Sequence, residues 1–486
     1  MGPAVRRLRW LVAALSCVVV GWFLATAATT LAYPWQLEWM EGGTVDVAAR
    51  VLRGASIYTA PSIEYVPYRY TPLYYLVVAA WSRVFGLSLL SARFVSLAAY
   101  LGSALLLSAF VRYEGGDEVS ALAAVAMYTG TYYKVLQWFH HARNDSLLVC
   151  LWLGAFYALR TGVASASAVL AGLLLWLAFL TKQSTLMVLA AATPFLWWWD
   201  RRRTLIAVGI ALGAIGATSL VMEAVTDGWW RFFVFTLPAT HGYTWSVLWP
   251  FIRYDVLRWV LPASGLVAAV LVTLSRERPR LAWFHAGLLA GAVAIGLGSR
   301  MGSASSNVLM PMYAAVGLVA ALSVPTTRLS TGRTLAWAGV VLQLFVVIQA
   351  SVSLIREGAW PSATLTANAD QFVSFLRDVP GPVLNWDQRF IVTRAGKPSL
   401  GLEAAADELA GAVDTEPGIR LRHDILEACR SGRFVGVVDP PEWLLDRVAH
   451  GAPVVFTPAG WWKIEAVYYP IDSPDDPAWQ SIPPAP

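Results

Sequence analysis

Up to residue 355 the apolar positions of this chain run in long blocks, whereas beyond it they shorten to brief runs set between polar stretches. A helix crosses roughly 30 Å of hydrocarbon with about 20 residues. Blocks of that order lie near residues 10–32, 89–111, 119–136, 144–159, 164–181, 184–199, 204–222, 256–274, 281–298, 307–323 and 334–354. The pattern predicts an all-α polytopic membrane protein over residues 1–355, with about 11 transmembrane helices. Two connections are long. Residues 33–88 hold an amphipathic stretch, TVDVAARVLRG, and a semi-apolar one, TPLYYLVVAAWSRVFG, opened by a proline suited to a helix start. Residues 223–255 are crowded with aromatics, among them Trp229, Trp230, Trp245 and Trp249; helices lying in the interface plane and a belt anchoring ordinary spans explain them equally well. In the tail, GPVLNWD, RFVGVVDP, APVVFT and WWKIEAVYYP read as short strands. Between them ADQFVSFLRD and PPEWLLDRVAH suit helices, so residues 356–486 are predicted to form a small α/β domain.

Composition confirms two solvents. The chain is 57% hydrophobic and 14% charged, against about 45–50% and 25% for soluble domains. Residues 1–355 carry 25 Lys+Arg and 13 Asp+Glu, too few to clothe a water-facing surface, whereas the last 131 carry 11 and 18, enough for an ordinary soluble domain. A water-soluble enzyme throughout, a disordered chain and a collagen are excluded. The net charge of +5 does not mark nucleic-acid binding, because the basic residues of the first part fall between apolar blocks. Arg6, Arg7 and Arg9; Arg112; Arg160; Arg201, Arg202 and Arg203; Arg276, Arg278 and Arg280; and Arg328 and Arg333 occupy every second connection. Those connections are expected to be cytosolic. An odd number of spans then puts the N-terminus in the cytosol and the C-terminal domain outside the plasma (cytoplasmic) membrane. The first block is too long for a cleaved signal and reads as a retained anchor. Cys17, Cys150 and Cys429 offer no disulfide framework, CxxC pair or cysteine zinc site, and no GxGxxG or Walker loop supports nucleotide binding.

Charged groups are costly at membrane depth, so the few that occur on the outward side are the candidate chemistry. Glu38, Glu41 and Asp46 follow the first span in LEWMEGGTVDVAARVLRG. A carboxylate fixed there suits a general base or a share in a divalent metal site; pairing with Arg50 or Arg53 is the plain structural alternative. WFHHARNDSLLV carries His140, His141, Arg143 and Asp145. Adjacent histidines point in different directions and make no metal site by spacing. Asp145 either caps the next helix or faces Glu41. Lys182 in LAFLTKQS is either a snorkelling lysine or a fixed cation for a lipid phosphate. Arg300 and Asn307 sit in GLGSRMGSASSNVLMP, whose small residues admit close backbone approach and whose Arg suits phosphate.

In this order the segments resemble the GT-C superfamily of polytopic glycosyltransferases, specifically the group related to protein O-mannosyltransferases and the lipid A aminoarabinose transferase. The resemblance spans roughly residues 10–330 and rests on four elements. Glu41 is followed eight positions later by Ala49-Arg50-Val51-Leu52-Arg53-Gly54; YRYTPLYYLVVAAWSRVFG matches a YPPLYYLL-like stretch, ARNDSLLV an AR-x-D element and LAFLTKQ an LAxLTK element. Where relatives usually have Asp-Glu this chain has Glu41-Gly42, which brings Glu38 forward as a second candidate base. The resemblance implies a sugar donor on a polyprenyl-phosphate carrier, a lipid, glycan or protein acceptor at the outer face, and inversion at the anomeric carbon. Glu41, Glu38 and Asp145 are then the expected catalytic residues; Lys182, Arg300, Asn307, Arg69, His141 and Arg143 the expected substrate-binding ones. The resemblance fixes no cofactor, and a divalent metal shared by Glu41 and Asp145 stays open. The WWDxG signature of oligosaccharyltransferases is missing from the tail, where Trp461-Trp462-Lys463 stands, and Trp197-Trp198-Trp199-Asp200 is expected on the cytosolic side. A lipid-linked sugar flippase or secondary transporter is the alternative, against which stand the acid-bearing first loop and the want of an internal repeat.

Overall fold

The structure, a computed structural model, describes residues 2–355 apart from 163, 164, 303 and 328. Beyond them it describes 361, 363–385, 389–398, 409–410, 415–438, 444, 454–456, 461–464 and 467–470. Each of the eleven apolar blocks contains a helix. The first nine helices in chain order are α1 (Pro3–Thr30), α2 (Glu41–Leu52), α3 (Leu73–Phe85), α4 (Leu89–Tyr113), α5 (Glu118–Thr129), α6 (Asp145–Thr161), α7 (Ser165–Thr181), α8 (Thr185–Trp199) and α9 (Arg201–Val225). Arg258–Glu277, Pro279–Met301, Met310–Ala321 and Ser330–Ile355 follow. Among the described residues seven helical stretches are long and apolar enough to cross a membrane, namely α1, α4, α9, Trp245–Glu277, Pro279–Met301, Ser306–Thr326 and Ser330–Val352. Helices α5 to α8 are shorter.

The block at 119–136 departs from the expected continuous helix. It stops at Thr129, and Leu136 and Gln137 adopt left-handed backbone at φ 60° and 63°. Tight turns, with Gln137 N–H donating to Tyr132 O at 2.9 Å, fold the chain back before α6. Irregular backbone at membrane depth survives only where protein covers it, and this segment is buried nearly throughout. It presents Trp138, His141 and Arg143 to the interior.

The two elements expected in the first long loop are α2 and α3. Tyr74 of α3 donates to Ala92 O of α4 at 3.0 Å, and Trp81 stacks on Phe94 at 4.7 Å, so the loop lies against α4. The aromatic connection 223–255 is a series of short helical turns that include π-helical Phe232–Thr236 and Phe251–Leu257; Trp230, Phe233 and Phe251 are buried, whereas Trp245 and Trp249 are exposed.

In the tail, helix Ala363–Asp378 precedes three parallel strands, β1 (Val383–Asn385), β2 (Gly436–Val438) and β3 (Val454–Phe456), in the order β1-β2-β3. Parallel neighbours need a crossover, and helix Glu416–Arg430 lies between β1 and β2. WWKIEAVYYP divides into a hairpin, β4 (Trp461–Ile464) with β5 (Val467–Pro470). PPEWLLDRVAH, apart from Leu444, lies outside the described residues. Trp35 of the first loop is buried among Phe372, Leu376 and Ile391, with the Arg394 guanidinium 4.8 Å from its ring, so this part of the tail seats on the first loop.

Candidate active site

Helices α6 and α7 are close in the chain and pack on each other, so the start of one and the end of the other are neighbours. Asp145 opens α6, where a negative charge complements the helix dipole, and Lys182 follows the last residue of α7, where a positive one does. Lys182 Nζ meets Asp145 Oδ1 at 2.7 Å, and Asn307 Nδ2, from the turn Ser306–Leu309, donates to the same oxygen at 2.8 Å. Arg143 lies between two carboxylates: its Nε is 3.9 Å from Asp145 Oδ2 and its Nη1 3.7 Å from Glu38 Oε2. These separations are too long for hydrogen bonds, and both oxygens, with Arg143 Nε and Nη1, are buried without a hydrogen-bond partner. The guanidinium lies 4.1 Å from the centre of the Trp138 ring and is flanked by Trp39 and Tyr70. Glu38, Arg143, Asp145, Lys182 and Asn307 are all buried. Five polar side chains from four separate stretches thus form one cluster with unused hydrogen-bonding capacity.

The electrostatics differ from group to group. Burial pushes the Glu38 carboxyl up from 4.5 to about 8, against the pull of Arg143. At Tyr70, burial also pushes upward, but Arg143, Arg69 and Lys182 outweigh it and hold the hydroxyl below its ordinary value. A field that favours a phenolate favours any anion brought to the same place.

Glu41 has a different environment. Arg93 of α4 grips it bidentately, Nε to Oε1 at 2.8 Å and Nη2 to Oε2 at 2.6 Å; Leu37 N–H donates to it at 2.7 Å and Ala142 N–H at 2.9 Å. Burial pushes this carboxyl up, yet Arg93 and the backbone donors overcome it and hold it below the ordinary range. Arg93 also donates to the carbonyls of Tyr33 and Trp35, both at 2.6 Å. The Glu41–Arg93 clasp therefore ties residues 33–41 to α4 and to the segment before α6. Gly42 is part of the same packing, since a Cβ there would lie 2.7 Å from Gln36 Oε1 and 2.8 Å from Phe390 Cβ. Arg50, the alternative partner for Glu41, binds Ser56 O and covers the Tyr65 ring instead.

The other candidates are placed apart from the cluster or at its edge. Arg69 contacts His241 Nε2 at 2.8 Å, while its carbonyl accepts from Gln183 Nε2 at 2.8 Å, next to Lys182. His141 is buried beside His140, whose Nε2 contacts Thr30 Oγ1 at 2.8 Å. Arg300 pairs with Asp255 at 3.1 Å, and Lys134 Nζ approaches the other oxygen of Asp255 at 2.8 Å. Asp200 of the WWD triplet caps α9 by accepting from Arg203 N–H at 3.0 Å. Sequence reasoning missed Arg93, Tyr70, Lys134 and Asp255. Arg93 carried a usable signal, a lone charge within an apolar block.

Among the described residues no three His, Cys, Asp or Glu gather as a metal site would. Glu41 and Asp145 have different partners, and a metal between them would have to displace Arg93 from one and Lys182 from the other. The donor set does not fit a divalent ion.

Residues 69–229, about a third of the chain, match the family model of the dolichyl-phosphate-mannose-protein mannosyltransferases. No curated protein matches the sequence. Among solved structures the chain is similar to ArnT from Cupriavidus metallidurans in the apo state, at TM-score 0.54 and 14% identity over 85% of this chain and 91% of that one. It is similar to the same protein bound to undecaprenyl phosphate, at 0.54 and 14% over 93% and 97%. The apo oligosaccharyltransferase of Archaeoglobus fulgidus matches at 0.52 and 9% over 88% and 70%. The resemblance drawn from the motifs is thus met twice, by the family model over residues 69–229 and by a fold shared with ArnT over the greater part of the chain.

Proposed function

We propose that the protein is a membrane glycosyltransferase that moves a sugar from a polyprenyl-phosphate donor to an acceptor by a single inverting displacement, with the buried Glu38–Arg143–Asp145–Lys182 cluster as its reaction centre. The observation that carries this reading is that cluster: two carboxylates and two cations brought together from distant stretches, with polar atoms left unpaired. A bound undecaprenyl phosphate in the structurally similar ArnT supports the donor class.

Glu38 is the base. Its affinity for protons, raised to about 8, suits removal of an acceptor hydroxyl proton near neutrality. The acceptor oxygen bonds to the anomeric carbon as the bond from that carbon to the phosphate oxygen breaks, and the electron pair leaves with the phosphate. Arg143 and Lys182 stabilise the growing negative charge, and Asp145 with Asn307 holds Lys182 in place. Glu41 takes no part in proton transfer, because its oxygens are engaged by Arg93 and two backbone donors; it positions the loop that carries Glu38. Entry of the substrate requires displacement of the Trp39, Trp138 and Tyr70 rings that cover Arg143.

The test is sugar transfer from a polyprenyl-phosphate-linked donor by the purified full chain. Transfer is expected for the parent protein and lost in Glu38→Gln and Lys182→Met. A parent protein without transfer to any lipid, glycan or protein acceptor overturns the reading, and an undiminished rate in Glu38→Gln removes Glu38 as base.

A further inference from the structure

Helix α4 carries Arg93 near its start and is followed by Glu114, about 30 Å further along at 1.5 Å per residue. Helix α6 likewise begins at Asp145 and carries Arg160 in its last turn. These far ends meet: Arg160 Nε and Nη2 bind the Glu114 carboxylate bidentately at 2.6 and 3.0 Å. A cavity of about 450 Å³ opens beside the pair, at the end of the bundle opposite the reaction centre. Its walls include Leu274, Leu281 and Leu322, its rim Arg278 and Glu277, and it is also lined by His285. His285 is fully buried; Nδ1 and Nε2 both want hydrogen-bond partners, and Glu114 Oε1 lies 3.7 Å from Nε2.

A neutral imidazole carries one donor and one acceptor, and burying both unmatched is unfavourable. The Glu114 charge beside it is neutralised by Arg160, while Arg276, Arg278 and Arg280 are exposed around the tight turn that joins the two adjacent helices. Of the three turn arginines only Arg278 lines the cavity, and Glu277 offsets one charge; with Arg276 and Arg280 exposed on the same turn the mouth keeps a net positive charge, with apolar walls and a hydrogen-bonding side chain inside. Basic pockets between membrane helices on the positively charged side take anionic lipid headgroups. We infer that this cavity is a binding site for a phosphate-bearing lipid headgroup, with the phosphate held by Arg278 and a headgroup oxygen hydrogen-bonded to His285. The site is separate from the reaction centre and does not depend on the proposed transferase activity.

The experiment is lipid retention by the purified, delipidated full chain in native mass spectrometry, with phosphatidylglycerol or phosphatidylcholine added back. Phosphatidylglycerol should be retained in preference to phosphatidylcholine. Its affinity should fall about tenfold in Arg278→Gln and in His285→Leu, and stay unchanged in Arg201→Gln, an exposed arginine away from the cavity. Arg278 is exposed, so its replacement leaves the folded chain available even if His285→Leu is unstable. Inorganic phosphate distinguishes the source: displacement of the lipid at millimolar phosphate assigns the site to phosphate as such, and persistence assigns it to the lipid headgroup. Equal retention of the two lipids, or undiminished phosphatidylglycerol binding in Arg278→Gln, overturns the proposal.

Discussion

Two glutamates three residues apart have opposite environments, although both are completely buried. Glu41 accepts four short hydrogen bonds, two from Arg93 and two from the backbone, and is held ionised. Glu38 accepts one, from Met40 N–H at 3.1 Å, and its second oxygen faces Arg143 at a distance too long to bond. A saturated carboxylate holds structure, because taking up a proton would break bonds it already makes. An unsaturated one has capacity left for a substrate. Burial alone therefore does not separate the two acids; the number of open lone pairs does.

That contrast can be broken from the Glu41 side first. Arg93→Met should destabilise the folded protein by about 3–5 kcal/mol, because it strands a buried charge. Replacing Glu41 and Arg93 together by apolar residues should recover much of the loss. Denaturant or thermal unfolding in detergent measures both, and a single replacement without loss of stability would show that the clasp is not structural. Next in size, Glu38→Gln should lower sugar transfer by about 10²–10⁴-fold with little change in melting temperature, the converse of the Arg93 result. A pH profile sharpens the distinction. With Glu38 protonated below about 8, the transfer rate should fall about tenfold per pH unit on the acid side of that value, whereas a rate governed by Glu41 would be flat there. Stability should move the other way. The folded state holds the Glu38 proton up to about pH 8 and the unfolded chain releases it near 4.5, so this contribution is present below 4.5 and lost as pH rises to about 8. The smallest effect is expected at Arg300, whose pairing with Asp255 is partly exposed; Arg300→Gln should change the transfer rate only about threefold. A drop as large as in Lys182→Met would return Arg300 to the reaction centre.

The clearest misfit between pattern and structure is the block at 119–136. Its apolar run reads as one span, yet the helix ends at Thr129 and the rest turns inward. Hydropathy reports how much of a segment avoids water and says nothing of whether protein or lipid surrounds it. The same limit hid Lys134, whose partner Asp255 lies 121 positions away in a π-helical turn. Arg93 is visible as a charge in an apolar block, but its partner is not; Arg50 or Arg53 is the expected partner from the spacing, whereas Arg50 lies over the Tyr65 ring.

The chain's own pattern determined the helical membrane architecture, the two helices of the first long loop, the short strands of the tail and the stretches on which the charged residues fall. Those properties follow from local composition and from a helix rise that is the same everywhere. Tertiary structure decided which charges meet. Asp145 pairs with Lys182 because two helices fold back on each other, Asn307 arrives on a distant turn, and Glu41 is drawn to Arg93 rather than to the Asp145–Lys182 cluster. Each pairing depends on separations of 37 to 162 residues being closed by packing, and nothing in the one-dimensional spacing encodes that closure.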